Sequence, residues 1–167
     1  MNEPKFLNNG DLSAAEYKEG AAKVLRNIPL TVFAFAIGIL CLASSIYQII
    51  TDDGFSAVNI LTLALSSMLL IFTPSLPYIQ ANGLHKQLCK SINIKEDDAI
   101  KTRAMFYEDH LVYISDENAS SVDYKNIKKH YITKNTLSIK TKDNVLIVLP
   151  KSGFLGGSYD DIMKLFK

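Results

Sequence analysis

The side chains that could do chemistry are few and scattered. His85, His110 and His130 stand far apart, and none has a second ligand at the spacing of a metal site. They read as solvent-exposed or turn histidines. Cys41 lies inside a long apolar run and Cys89 just beyond another, so the pair implies no disulfide framework. Asp52-Asp53 could hold an ion or could simply be a polar loop that stays out of lipid, where charge is costly. No Ser-His-Asp order, phosphate loop, zinc signature or dinucleotide fingerprint is present. Asn118-Ala-Ser120 is a glycosylation sequon only if that segment is secreted. These residues point to no catalytic site, no cofactor and no metal.

One cluster stands out. Lys125, Lys128, Lys129 and Lys134, with His130 among them, crowd a short stretch. Lys and Arg near an anionic leaflet each gain about 1 kcal/mol. The cluster could therefore rest on anionic lipid headgroups or on an acidic partner. It could equally be a solvated face, since Asp116, Glu117 and Asp123 lie beside it. The chain has a formal net charge of +1 over 167 residues, so charge gives no reason to expect a nucleic-acid partner.

The elements that position these residues are dominated by two apolar runs. Residues 28–50 carry no charge, and neither do residues 55–84. Thr51-Asp52-Asp53-Gly54 separates them. A helix of about 20 apolar residues crosses a bilayer core of about 30 Å. The two runs predict a transmembrane hairpin, with spans at about 28–50 and 56–77. A soluble core hairpin would carry a polar stripe, and residues 30–50 are apolar nearly all round. Pro74 and Pro77 predict a kink or break at the end of the second span. Ala34 and Gly38 form a small-xxx-small pair suited to packing against the second span. Ser66 and Ser67 are expected to bond back to their own helix carbonyls.

The flanks set the sidedness. Lys18, Lys23 and Arg26 precede the first span, and Lys86 and Lys90 follow the second; the intervening turn carries only Asp52 and Asp53. The positive-inside rule places both termini in the cytoplasm of an inner (plasma) membrane protein. The bilayer is then the one partner that can be named. A protein partner and the oligomeric state are not legible.

The rest divides as follows. Residues 1–27 read as an N-terminal cytoplasmic segment. Residues 1–10 are polar and expected to be loose. Ser13-Ala-Ala-Glu16 is a capping box opening a helix from about 14 to 26, with a thin apolar face of Tyr17, Ala21, Val24 and Leu25. Residues 81–98 form an amphipathic helix and linker, with Leu84, Leu88 and Ile92 on one face. From residue 99 the period becomes strand-like. Strands are expected at 99–107, 111–115, 120–124, 129–133, 136–141 and 145–150, the last central because it is continuously apolar. Lys134-Asn135 and Asp143-Asn144 suit tight hairpin turns. Ser158 with Asp161 caps a last helix, whose Ile162, Leu165 and Phe166 can cover the sheet. The predicted class is an α+β membrane protein: a two-helix hairpin, then a small antiparallel curved sheet or partly open barrel, pleckstrin-homology (PH)-like, with a C-terminal helix.

Phe106-Tyr-Glu-Asp-His110, Tyr124-Lys-Asn-Ile127 and Leu149-Pro-Lys-Ser-Gly-Phe154 resemble the C-terminal domain of the YcxB-like family of bacterial membrane proteins. Leu12-Ser-Ala-Ala-Glu-Tyr17 resembles the opening helix of that family, and a two-span hairpin is its usual middle. His110 stands where a turn glycine is common, and Tyr124 where Trp is common. Phe106, Ile127 and Phe154 read as core anchors, and Gly153 as the residue that permits a tight turn. The resemblance implies a bacterial membrane location and a PH-like cytoplasmic domain at 99–167, but no reaction. The function expected is that of a membrane-anchored interaction or regulatory module. The alternative is an immunity-type protein protecting the membrane from a toxin.

Overall fold

A computed structural model of the chain describes residues 3–26, 28–51, 56–115, 118–156 and 159–166. The expected acidic turn, Ser158 at the last helix cap, and Asp116 and Glu117 fall outside them. The elements in order are β1 (Phe6–Leu12), α1 (Ala14–Leu25), α2 (Ile28–Thr51), α3 (Ala57–Ser91), β2 (Ile100–Phe106), β3 (His110–Ser115), β4 (Asn118–Asp123), β5 (Ile127–Ile132), β6 (Thr136–Thr141), β7 (Leu146–Pro150), β8 (Phe154–Leu155) and α4 (Tyr159–Lys164). The protein is α+β, with two long apolar helices, antiparallel sheets and a short C-terminal helix. It divides into two compact units: Arg26–Ile79, and a unit built from Met1–Leu25 with Gln80–Lys167.

In the helical unit, α2 and the first two-thirds of α3 are long and apolar enough to cross a membrane. Gly38 is buried, and a Cβ there would sit 2.9 Å from Leu70 Cδ2, so the second helix does pack against the small-residue position. Buried small or polar residues recur every seven: Asn59, Ser66 and Thr73 on α3, with Gly38 and Ser45 on α2. A seven-residue repeat keeps one seam of each helix in register. Ser45, Ser66, Ser67 and Thr73 donate to the carbonyls of Cys41, Thr62, Leu63 and Leu69, four residues back. Their hydroxyls are thus satisfied within their own helices.

No break follows Pro74 or Pro77, because α3 continues to Ser91. Each proline removes one helical donor, and the losses are confined to two carbonyls, those of Leu70 and Thr73. Thr73 and Ser75 bond back to the neighbouring carbonyls of Leu69 and Ile71. The amphipathic helix expected within residues 81–98 is therefore the end of α3.

Residues 6–10, expected to be loose, are part of a strand. β1 lies between β2 and β8 in a five-stranded sheet ordered β4-β3-β2-β1-β8. It pairs with β2 along its whole length, from Phe6↔Phe106 to Leu12↔Ile100. Asn8 and Leu12 face inward while Asn9 and Asp11 are exposed. The folded unit is thus discontinuous in sequence and not confined to 99–167. A second sheet has the order β5-β6-β7. The strands thus form two separate sheets, not one closed on itself. β7 is buried on both faces but lies at the end of its sheet, not at the centre. Its continuous apolar run reflects that double burial.

Leu137 and Ile139 of β6 join Phe106, Leu111, Ile147, Leu149 and Ile162 in one core. Thr136 and Ser138 point the other way, toward α1. The capping box of α1 is formed: Ser13 Oγ lies 2.7 Å from Glu16 Oε2, and the Ser13 amide donates to that carboxylate at 3.0 Å. Tyr17, Ala21 and Ala22 of α1 make a second core with Ala81, Ile100 and Val148. This helix covers the three-stranded sheet. Asn144 takes the expected positive φ of 63° in the β6–β7 turn. The β5–β6 turn is held differently, by Thr133 Oγ1 accepting from the amides of Asn135 and Thr136.

Candidate functional site

The residues nominated from the sequence do not converge. Lys125, Lys128, Lys129 and Lys134 are all exposed. Lys125 lies in a short 3₁₀ turn before β5, Lys128 and Lys129 on β5, and Lys134 in the turn after it. An irregularity between Ile127 and Lys129 resets the register. Lys129 then pairs with Lys140, while the next residue, His130, pairs with the core-facing Ile139. Successive strand residues face opposite sides, so Lys129 is turned away from His130. The His130 ring lies 5.3 Å from that of Phe166.

The three histidines have three environments. His110 opens β3 and is not left-handed. Its ring stacks on Tyr107 at 4.6 Å, and its Nδ1 lies 2.6 Å from Asp109 Oδ1. The bond to His110 is the main reason the Asp109 carboxyl is held below the usual carboxylate range. His85, expected at the surface, is fully buried because α1 covers that end of α3.

The three motifs of the C-terminal half meet one another and β1. Phe106 is fully buried, its ring 5.7 Å from that of Phe154; Ile127 and Phe154 pack against the same core. Tyr124 Oη donates to the Tyr107 carbonyl at 2.7 Å, joining the first motif to the second. Burial, and then the nearby Asp109 charge, push the Tyr124 phenol up. Gly153 needs to be small because a Cβ there would lie 3.0 Å from the Gly10 Cα. A close approach, not a left-handed turn, excludes a side chain. These motif residues hold the fold together and present no open chemistry.

The concave surface of the folded unit lies elsewhere. Two adjoining cavities, of about 370 and 360 Å³, share Tyr17, Leu88, Ser91 and Leu146. The first continues between β7 and the Tyr113 and Val122 side chains; the second opens toward Gln87, Lys140 and Asn144. Tyr17 comes from the buried face of α1, and Leu88 from the stripe on α3. The sequence signalled both as apolar helix faces, but nothing in it said which sheet they would meet.

Behind Tyr17 sits a closed cluster. The His85 ring is 5.3 Å from the Tyr17 ring, and Cys89 Sγ is 3.6 Å from His85 Nε2. Burial pushes the Tyr17 phenol up to about 12 and raises the Cys89 thiol. Burial, aided by Lys18, lowers His85. At neutral pH the cluster is a phenol, a neutral imidazole and a thiol. A reactive cysteine needs a lowered pKa, so this arrangement does not activate a nucleophile. Among the described residues no three His, Cys, Asp or Glu side chains gather as metal ligands. An apolar groove with a few polar groups at its rim can bind an apolar side chain or acyl group.

No family model and no curated protein matches this chain. The C-terminal domain of an unknown protein from Leishmania infantum is similar at 17% identity, over 50% of this chain and 95% of that one, with a TM-score of 0.34.

Proposed function

We propose that this chain is a two-span inner-membrane protein, both termini cytoplasmic, whose folded unit is a PH-like interaction or regulatory module of the YcxB-like type. The observation that carries the reading is where apolar surface is left uncovered. All but three of the exposed large hydrophobic side chains among the described residues lie between Ile28 and Ile79. Only 11% and 17% of the most apolar windows of α2 and α3 are buried. Such a surface is tolerable in lipid and is an aggregation hazard in water. The spans are taken as Ile28–Thr51 and Ala57–Ile79. The flanking cations and the three sequence motifs support the sidedness and the family respectively.

The groove beside Tyr17 is the surface this module offers a partner. Its residues come from segments on both sides of the hairpin, so the groove exists only when both segments are folded together. A binding role fits better than catalysis because the buried Tyr17, His85 and Cys89 are all held uncharged.

Alkaline extraction of membranes, followed by thiol labelling, tests the reading. The protein is expected to stay in the pellet. Asp53→Cys should be labelled from outside intact cells and Ser158→Cys should not. Release into the supernatant would refute the spans, and the reverse labelling would refute the sidedness.

A further inference from the structure

We propose that the helical hairpin carries a binding site for one anionic phospholipid, with its phosphate on Arg26 and one acyl chain lying in the groove between α2 and α3. The proposal rests on the spanning reading above and adds a specific ligand to it. A groove of about 610 Å³ runs along the hairpin, walled by Val32, Phe35, Ala36, Leu70 and Pro74, with Arg26 at one end and Ile39 at the other.

Three observations select this occupant. The first is charge. Arg26 is the one charged group on the groove, makes no ion pair among the described residues, and is exposed. A guanidinium matches a phosphate in geometry as well as sign. The second is length. From Ile28, the first residue of α2, to Ile39 is about 16 Å at about 1.5 Å per residue. That matches the roughly 15 Å of hydrocarbon in one leaflet, half of the full core, and leaves the headgroup to Arg26, before the helix. The third is the wall chemistry: between Arg26 and Ile39 the groove is walled by the apolar side chains of Val32, Phe35, Ala36, Leu70 and Pro74, which suit an acyl chain and offer a polar headgroup no partner along their length. The cytoplasmic side, on which Arg26 falls, is also the leaflet of negative surface potential.

Native mass spectrometry of the full chain in detergent, titrated with phosphatidylglycerol or phosphatidylcholine, tests the site. The wild type is expected to hold one phosphatidylglycerol about fivefold more tightly than phosphatidylcholine, the effect of one cation near an anionic headgroup. Arg26→Gln should abolish that preference while leaving weak binding of both lipids. Ala36→Phe fills the groove without touching the cation and should weaken both. Glycerol 3-phosphate, which has the phosphate and no chain, should not compete. A preference unchanged in both variants would overturn the site, as would displacement by glycerol 3-phosphate. A changed oligomeric mass in Ala36→Phe with lipid binding intact would assign the groove to a second helix instead. Failure of the spanning reading is separate, because it appears beforehand as release of the wild type by alkaline extraction.

Discussion

The Asn8 side-chain amide donates to the Pro150 carbonyl across 2.8 Å, inside the protein and 142 residues apart in the chain. This bond ties the strand before the hairpin to the end of β7. Next to it, a Cβ on Gly10 would lie 2.9 Å from both the Gly153 Cα and Pro150 Cγ. The two ends of the folded unit therefore touch backbone to backbone, and the helical hairpin is an insertion between its first strand and its second.

A fragment limited to residues 99–167 should fail to fold. It lacks β1, the strand between β2 and β8, and α1, the cover of the second sheet. A chain in which residues 1–25 are joined by a flexible linker to 80–167 should fold. Dispersed amide NMR resonances from the joined chain, and collapsed ones from the fragment, are the expected pair. A well-dispersed spectrum from 99–167 alone would show that β1 is dispensable.

Gly20 should be intolerant of any side chain. A Cβ there would contact Ser138 Oγ and lie 2.8 Å from Thr136 Oγ1 and 2.9 Å from Val148 Cγ1. Overpacking of this kind costs about 1–3 kcal/mol, more than the roughly 0.5–1 kcal/mol that Ala gains over Gly in a helix. Gly20→Ala should lower Tm. Ser138 Oγ is buried without a hydrogen-bond partner, so adding Ser138→Ala removes the nearest clash and should recover part of the loss. A Tm raised by Gly20→Ala alone would contradict the packing.

Acid should destabilise the folded unit through His85. Burial holds its imidazole below the ordinary 6.5. The unfolded chain then binds more protons, and stability rises with pH between the folded value and 6.5. Lys18 adds to the lowering and Glu96 opposes it. Denaturation midpoints should fall as pH drops from 7 toward 5. His85→Gln lowers stability overall and flattens that slope; a slope identical to the wild type would place the proton uptake elsewhere.

The basic face is open to a direct measurement. Replacing Lys125, Lys128 and Lys129 with Gln removes about 1 kcal/mol each of attraction to an anionic surface. Partition of the joined 1–25/80–167 chain onto phosphatidylglycerol vesicles should then fall by roughly two orders of magnitude. Unchanged partition would assign these lysines to solvated surface, in keeping with the opposed directions of Lys129 and His130.

Local residue order is enough to read the two long apolar helices, the capping box at Ser13 and the strands β2 to β7. A charge-free run, a hydroxyl three residues before a carboxylate, and the alternation around Leu137 and Ile139 each have one local meaning. β1 was not legible. Its inward residues include Asn8 and Gly10, which carry no apolar pattern. Asn8 is inside because a carbonyl on β7 accepts from it, and Gly10 because Gly153 leaves no room for a Cβ. Both reasons belong to a partner more than a hundred residues away. The same holds for the groove: Tyr17 and Leu88 were visible as apolar helix faces, but only the folded chain brings them to one wall and leaves space beside them. Local sequence determines which segments are helical, extended or apolar. Long-range contact determines which polar or small residues end up inside, since that depends on what stands opposite them.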